Sequence, residues 1–416
     1  MTNIANEKIP FFNEDVISLM PMRILRSLVE LFAGSFLFAY LLKISHDDIK
    51  PIAIYCVSFA ITLNFIFLFC GNYAKTKNKI HLMQFGIFLS FLHIAAIAYL
   101  KEEAVKYVIP LGISYGLYTG FYFSAWNNLI PEKIAIGRMG RFVGYLTSAG
   151  NAAKIFGSYL FGTYISTHSF EACLSFVMAI SLIEIALSFR VTSKRTCEES
   201  FKPIQFYNTI KNHSFIQKAF LIEVFRGITF AGPLASLIVI CTAFQYEDAQ
   251  DFGTFNSIFA IVTICISFIF GRYIKRRQYP VLSLINSLFI ILTIVLYTLY
   301  DTKINFILYN FCYASFVMLI QLITDVNLFN ITNSEKISHT YRIEYMAIRE
   351  IYLNIGRIIG YTLMYFAGTS ADPNSYKYLM IFLTLIISAV GILSNRMQRE
   401  LALGHDKGLA AYTAAE

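Results

Sequence analysis

Twelve long apolar segments run through the sequence, and they limit the possible fold more than any other feature. Each has about 20 mostly apolar residues, the length that an α-helix needs to cross a lipid bilayer. We number them spans 1 to 12, with the bounds 22–44, 51–70, 80–100, 105–127, 139–165, 170–190, 217–244, 253–271, 280–300, 304–326, 343–368 and 376–395. The sequence therefore predicts an all-α membrane protein with twelve transmembrane helices.

The composition supports this interpretation, because 56% of the 416 residues are hydrophobic and only 14% are charged. Soluble proteins carry about 25% charged residues, and a chain with so few could not cover a surface that faces water. The net charge of +8 is spread over short connections and does not form one basic patch. We therefore expect no nucleic-acid partner.

Enzymatic chemistry is not expected from the motifs. The seven cysteines include no C-x-x-C pair, and the chain lacks the G-x-x-x-x-G-K-[ST] motif of ATP-driven proteins. We find no nucleophile with a base and an orienting residue. The sequence thus predicts no cofactor and no metal site, and it makes a membrane-embedded enzyme or a scaffold without transport activity the weakest alternative.

The basic residues indicate the orientation of the chain. Most lysines and arginines of the connections lie on the side that holds both termini when the spans alternate in direction. Cytoplasmic connections of membrane proteins carry such an excess, so we expect both termini in the cytoplasm. The short connections favour a bacterial cytoplasmic (inner) membrane.

The two halves of the chain resemble each other in sequence. Span 5 contains NAAKIFG from Asn151, and span 11 contains NIGRIIG from Asn354. Span 1 contains the motif LVELFAG around Glu30, and span 7 contains LIEVFRG around Glu223. Each repeated motif lies in the equivalent span, and every span keeps its direction, so the repeat is parallel. The predicted division is a six-helix bundle at 1–192, a cytoplasmic linker at 193–216, a second six-helix bundle at 217–399 and a disordered tail at 400–416.

The loops after spans 2 and 8 repeat as well, with GNYAK from Gly71 and GRYIK from Gly271. Together with twelve spans in a parallel 6+6 repeat and both termini inside, this basic loop resembles the major facilitator superfamily. Gly71 and the lysines match the loop signature of that family in part, and Gly271, Lys275 and Arg276 match it better. The resemblance implies the major facilitator fold of two pseudo-symmetric bundles. In this fold spans 1, 4, 7 and 10 line a central cavity, and spans 2, 5, 8 and 11 join the halves.

Charged residues within the spans are the main candidates for a binding site. A charge at the bilayer centre costs at least about 2.5–3.5 kcal/mol, so such residues face a polar cavity or a partner. We expect Lys154 to pair with Glu30 and Arg357 to pair with Glu223, while Arg226 is a further deep cation. Three cations against two acids favour an anionic or zwitterionic substrate. The alternative is a set of structural ion pairs that lock the halves together.

Other candidates of the substrate or proton site are polar or aromatic. Asn151 and Asn354 each precede a deep cation by three residues, on the same helix face. Tyr115, Tyr118 and Tyr122 share one face of span 4. Both groups either contact the substrate or pack between helices.

Charged residues and glycines near the cytoplasmic ends of the spans form a predicted gate. Its members are Gly71, Lys75, Gly271, Lys275, Arg276, Asp325, Arg349 and Glu350.

The function that the sequence predicts is secondary active transport by alternating access, with a small organic molecule as substrate. Carboxylates and cations share the core, so we expect the proton gradient to drive transport, with sodium as the alternative. The protein is expected to be a monomer in contact with membrane lipid. An alternative on the same fold is a flippase for lipids or lipid-linked glycans, which the 39 phenylalanines and 27 tyrosines make conceivable.

Overall fold

The computed structural model describes residues 14–133, 136–191, 200–246, 248–273, 278–332, 341–369 and 374–402. All regular secondary structure in these ranges is helical. Nine segments of the described residues are long and apolar enough to cross a membrane. The all-α membrane fold predicted from the sequence is therefore confirmed.

The first half of the chain contains seven α-helices that cover predicted spans 1 to 6. A π-helical turn at Phe32–Phe36 joins α1 to α2, and a 3-10 segment at Lys101–Tyr107 joins α4 to α5. The helices are α1 (Glu14–Leu31), α2 (Leu37–Ile44), α3 (Lys50–Thr76), α4 (Lys79–Leu100), α5 (Val108–Lys133), α6 (Ile136–Thr167) and α7 (Phe170–Ser188).

The second half covers predicted spans 7 to 12 and begins with a short additional helix. This helix, α8 (Pro203–Ile210), lies within the predicted linker at 193–216. The others are α9 (Ser214–Ile228), α10 (Pro233–Gln245), α11 (Ala249–Tyr273), α12 (Tyr279–Leu299), α13 (Lys303–Thr332), α14 (Arg342–Thr369) and α15 (Ser375–Ala402). The predicted tail is outside the described residues from residue 403 onward.

Predicted span 7 is interrupted, whereas the sequence analysis expected one continuous helix at 217–244. Helix α9 ends at Ile228, and α10 begins at Pro233, directly after Gly232. Proline lacks a backbone N–H and clashes with the preceding turn, so it begins a helix more readily than it continues one. The break leaves the carbonyl oxygen of Ala231 free to accept a hydrogen bond from a side chain of α14.

The two halves meet along two helix pairs, α3 with α14 and α6 with α11. These are spans 2, 11, 5 and 8, the spans that the family resemblance places between the halves. Gly162 of α6 faces Gly253 of α11, and a methyl group added at either glycine would collide with the other helix. Such small residues let helix backbones approach closely inside a membrane. Many large apolar side chains point outward from the helices, among them Phe65 and Phe156, as lipid contact requires.

Candidate functional site

A cavity of about 400 Å³ lies between helices of both halves. Helices α1 and α6 contribute one wall, and α10, α11 and α13 contribute the other. The polar residues that line it are Arg23, Ser27, Asn151, Lys154, Thr242, Asn256, Thr263, Asn310, Tyr313 and Gln321. Its apolar lining includes Leu146, Ile238, Phe255, Phe259 and Val317. The volume lies at the lower end of the range for small-molecule pockets.

Two cations lie on the wall from the first half, Arg23 on α1 and Lys154 on α6. Arg23 Nη1 donates a hydrogen bond to Glu30 Oε1 over 2.6 Å, and both side chains are only partly buried. Lys154 has no carboxylate within ion-pair distance among the described residues, although Glu30 is near enough to attract it electrostatically. The arrangement therefore places two cations beside one carboxylate.

The expected pairing of Lys154 with Glu30 is replaced by a pairing within α1. Arg23 and Glu30 are seven residues apart, about two turns, so they lie on the same face of the helix. The long arginine side chain spans this separation. Arg23 falls within predicted span 1 but was not among the predicted site residues. The spacing of seven between a cation and an acid was the signal that could have identified the pair.

Asn151 lines the cavity one turn before Lys154, as their spacing on α6 predicts. Its counterpart Asn354 has different surroundings. The oxygen Oδ1 of Asn354 accepts a hydrogen bond of 2.7 Å from Arg357 Nη1, and Arg357 Nε donates to the carbonyl oxygen of Ala231 over 2.9 Å. Asn354 and Arg357 do not line the cavity. The repeated motif of an asparagine and a cation therefore has different surroundings in the two halves.

The expected pairing of Arg357 with Glu223 is also wrong, because each of the two residues has other partners. Glu223 Oε1 lies 3.1 Å from Arg226 Nη1 and 3.1 Å from Arg349 Nε. Arg349 in turn lies 2.9 Å from Glu350 Oε1. Arg349 and Glu350 were predicted as gate residues, and here they form one buried network with Glu223 and Arg226. The guanidinium of Arg357 is instead held at the break between α9 and α10.

The three tyrosines of α5 pack inside the first half and do not line the cavity. Tyr118 and Tyr122 are buried, and the Arg26 guanidinium carbon lies 4.2 Å from the centre of the Tyr122 ring. The Tyr115 ring stacks on Phe59 with 4.3 Å between centroids. This arrangement matches the packing alternative that the sequence analysis left open.

A buried ion pair between α1 and α7 was not anticipated. Arg26 Nε donates to Glu184 Oε1 over 3.1 Å, and both side chains are at most 1% exposed. The pair lies within the first half and does not line the cavity. Glu184 is an acid inside predicted span 6, and it is not part of a motif repeated between the halves.

Another buried ion pair, at the end of α3, joins the first half to the second. Lys75 Nζ lies 2.6 Å from Glu344 Oε1 on α14, and both side chains are almost completely buried. The same carboxylate oxygen accepts a hydrogen bond from the backbone N–H of Lys202, and Lys75 donates to the carbonyl oxygen of Ser200. We call these four residues the α3–α14 latch. Lys75 was predicted as a gate residue, whereas Glu344 was not among the predicted site or gate residues.

Phe201, two residues before the start of α8, also packs against α3. The Phe201 ring fills the space beside Gly71, where a larger residue would collide with it. The predicted gate glycine is therefore a site of close packing between the linker and the first half. Of the remaining gate residues, Lys275 and Arg276 are outside the described residues, and so are the surroundings of Gly271 and the side chain of Asp325.

Within the described ranges, no group of three or more His, Cys, Asp or Glu side chains is placed to hold a metal ion.

Comparisons with known proteins agree with this architecture. The family model described as Major Facilitator Superfamily matches residues 16–361. The chain is 22% identical over 352 residues to the uncharacterized protein YqgE of Bacillus subtilis, with 83% of this chain and 81% of that protein covered.

Solved structures show the same fold at low sequence identity. A bacterial homologue of the iron transporter ferroportin in an outward-facing state has a TM-score of 0.66 and 13% identity, covering 94% of this chain and 100% of that one. A bacterial homologue of ferroportin in an inward-facing state has a TM-score of 0.64 and 14% identity, covering 94% of this chain and 100% of that one. A variant of the nucleoside transporter NupG has a TM-score of 0.65 and 14% identity, covering 92% of this chain and 100% of that one.

Proposed function

Because this chain belongs to the major facilitator superfamily, and is thus a membrane transporter and not an enzyme, we propose that it is a secondary active transporter. Its solute is a small organic anion or zwitterion, and the cavity between the two halves is the binding site. The protein resides in a bacterial cytoplasmic membrane with both termini inside, which puts the α3–α14 latch on the cytoplasmic side.

The observation that carries this proposal is the charge on one wall of the cavity. Arg23 and Lys154 both line it, and Glu30 is the one carboxylate paired with either of them in the described residues. A cation that faces an apolar environment without full compensation is costly. An anionic group of a bound solute would supply the missing negative charge.

The two cations differ in what they offer such a group. The guanidinium of Arg23 is planar and can bind a carboxylate or phosphate through two parallel hydrogen bonds. The ammonium of Lys154 is a compact charge with three donors. Asn151, one turn away on α6, adds an amide to the same wall. The set is suited to orienting one anionic group, and it would repel a free metal cation.

Glu30 is the group that we propose for proton coupling. Its carboxylate holds Arg23 in an ion pair of 2.6 Å. A solute anion and the Glu30 carboxylate therefore compete for the same guanidinium. Protonation of Glu30 removes the competitor and releases Arg23 to the solute, so proton and anion bind cooperatively by linkage.

Alternating access follows from the position of the cavity. Its walls come from both halves, so rocking of one half against the other exposes the solute to one side of the membrane at a time. The helix pairs α3 with α14 and α6 with α11 are the surfaces along which the halves rock. The α3–α14 latch closes one end of this interface.

A ligand screen by thermal unfolding of the purified protein tests the proposal. The panel contains carboxylates, phosphate esters and amino acids, and the variants are Arg23→Gln and Lys154→Gln. We expect at least one anion or zwitterion to raise the Tm of the wild type and to have little effect on either variant. Arg357→Gln is the matched control, because Arg357 is the cation of the second half at the position equivalent to Lys154, and it does not line the cavity.

The screen contradicts the proposal in two cases. In one, no anion or zwitterion stabilises the wild type. In the other, both variants respond to the same ligands as strongly as the wild type does. Uptake of the stabilising ligand into proteoliposomes, with and without a pH gradient, then tests transport and its coupling to protons.

A further inference from the structure

The two walls of the cavity differ in chemistry, and the difference bears on the solute. Both lining cations come from α1 and α6. The lining residues of α10, α11 and α13 include no charged side chain, and their polar members are Thr242, Asn256, Thr263, Asn310, Tyr313 and Gln321. We call this surface the amide wall. It faces the part of the solute that lies away from Arg23 and Lys154.

The amide wall is built by helical periodicity on two helices that pack against each other. On α11, Asn256, Ala260 and Thr263 lie at i, i+4 and i+7. On α13 the lining residues are Asn310, Tyr313, Ala314, Val317 and Gln321, which follow the same one-sided spacing. One face of each helix is therefore turned toward the cavity, and each face carries an amide close to one end.

Asn256 supplies a hydrogen-bond donor that the protein does not use. Its amide nitrogen is buried and has no hydrogen-bond partner among the described residues. Leaving a buried donor without a partner costs about 1–3 kcal/mol. A polar group of a bound solute would remove this cost.

Asn310 supplies the complementary acceptor. Its nitrogen Nδ2 donates to the carbonyl oxygen of Phe306 over 3.0 Å. This bond uses the amide nitrogen inside α13 and leaves the oxygen Oδ1 to accept from the cavity. A hydroxyl group both accepts and donates, so hydroxyl groups of a solute can satisfy the Asn256 donor and the Asn310 acceptor.

From these residues we infer, on the basis of the proposed function, that the solute is a hydroxylated organic acid. Its anionic group binds Arg23 and Lys154, and its hydroxyl groups bind the amide wall. Phe255, Phe259 and Ile238 line the same cavity and contact the carbon skeleton between these ends. A fatty acid of equal length would leave the Asn256 donor and the Asn310 acceptor without partners and would bind less tightly.

Two six-carbon monocarboxylates, gluconate and hexanoate, test whether the site prefers a hydroxylated acid to a fatty acid. They share the carboxylate and differ in their hydroxyl groups. Binding of each to the purified full-length protein is measured by calorimetry and by the shift in Tm. We expect the wild type to bind gluconate at least about tenfold more tightly than hexanoate, because a site built for hydroxyl groups rejects analogues that lack them.

The variants Asn256→Leu and Asn310→Leu keep the side-chain volume and remove the amide. Each is expected to weaken gluconate binding about tenfold and to leave hexanoate binding unchanged or stronger. Thr254→Val is the matched control on α11, because Thr254 bonds to the backbone of Gln250 and does not line the cavity. Retained hexanoate binding shows that the Leu variants are folded.

Several results overturn the inference. One is that hexanoate binds the wild type as tightly as gluconate does. Another is that the Leu variants weaken the binding of gluconate and of hexanoate equally. If neither probe binds while another anion of the screen stabilises the wild type through Lys154, the hydroxylated acid is wrong and the anion site stands. If no anion binds at all, the proposed function itself fails.

Discussion

Lys75 and Glu344 form an ion pair of 2.6 Å that ties α3 of the first half to α14 of the second. Their side chains are 3% and 0% exposed, so water does not screen the interaction. Glu344 also accepts a hydrogen bond from the backbone of the segment that leads into α8. One buried carboxylate thus connects both halves and the linker between them.

Removal of one partner of this latch should destabilise the protein strongly. We expect Lys75→Met to lower the free energy of unfolding by about 3 kcal/mol, because Glu344 would remain buried without its cation. The double variant with Glu344→Leu should recover part of this loss. Denaturant unfolding in detergent measures both. Lys106→Met is the control, since the pair of Lys106 and Glu103 is exposed and water screens it. Equal losses at Lys75 and Lys106 would show that the latch is not buried in solution.

The carboxyl group of Glu30 should set the pH dependence of anion binding. Protonation of Glu30 frees Arg23, so anion affinity is expected to rise as the pH falls. The variant Glu30→Gln cannot carry the negative charge, and its affinity should stay at the high level over the whole pH range. Calorimetry at several pH values, with an anion from the screen, measures this. An unchanged pH profile in the variant would exclude Glu30 as the proton carrier.

Close packing of α6 against α11 should make Gly253 intolerant of larger side chains. A Cβ atom at this position would collide with the backbone of Ser158 and Gly162. We expect Gly253→Ala to lower stability by about 1–3 kcal/mol, the usual cost of overpacking. Gly34→Ala is the matched control, because nothing lies within 4 Å of a Cβ atom there. Comparable Tm values for the two variants would argue against the tight interface.

Two arginines one turn apart on α1 should respond differently to substitution. Arg26 is 1% exposed in its pair with Glu184, whereas Arg23 is 22% exposed at the cavity. Arg26→Met should therefore cost about 3–5 kcal/mol of stability, because it leaves Glu184 buried and unpaired. Arg23→Met should cost less and should abolish anion binding. Tm values and ligand titrations of both variants test this contrast. Loss of binding only in the Arg26 variant would reverse the assignment.

The sequence predicted the helices and some of the residues that line the cavity. Asn151 and Lys154 were predicted as site residues, and both line the cavity. Glu30 was predicted beside them, and it meets Arg23. Asn256 and Asn310 gave no signal, because uncharged amides occur in many membrane helices and these two are not part of a repeated motif.

The sequence by itself determined the fold class, the parallel repeat and the family. A segment in lipid must satisfy its own backbone hydrogen bonds, so a run of about 20 apolar residues can form little other than a helix. That constraint is local and can be counted along the chain.

The tertiary structure alone decided which charged residues meet. Glu30 and Glu223 are equivalent in the repeat, yet Glu30 pairs with a residue of its own helix, and Glu223 pairs with Arg226 and with Arg349 of α14. The partner of a buried charge depends on the rotation of each helix and on the reach of its side chain. These quantities are set when all the helices pack, and no single segment encodes them.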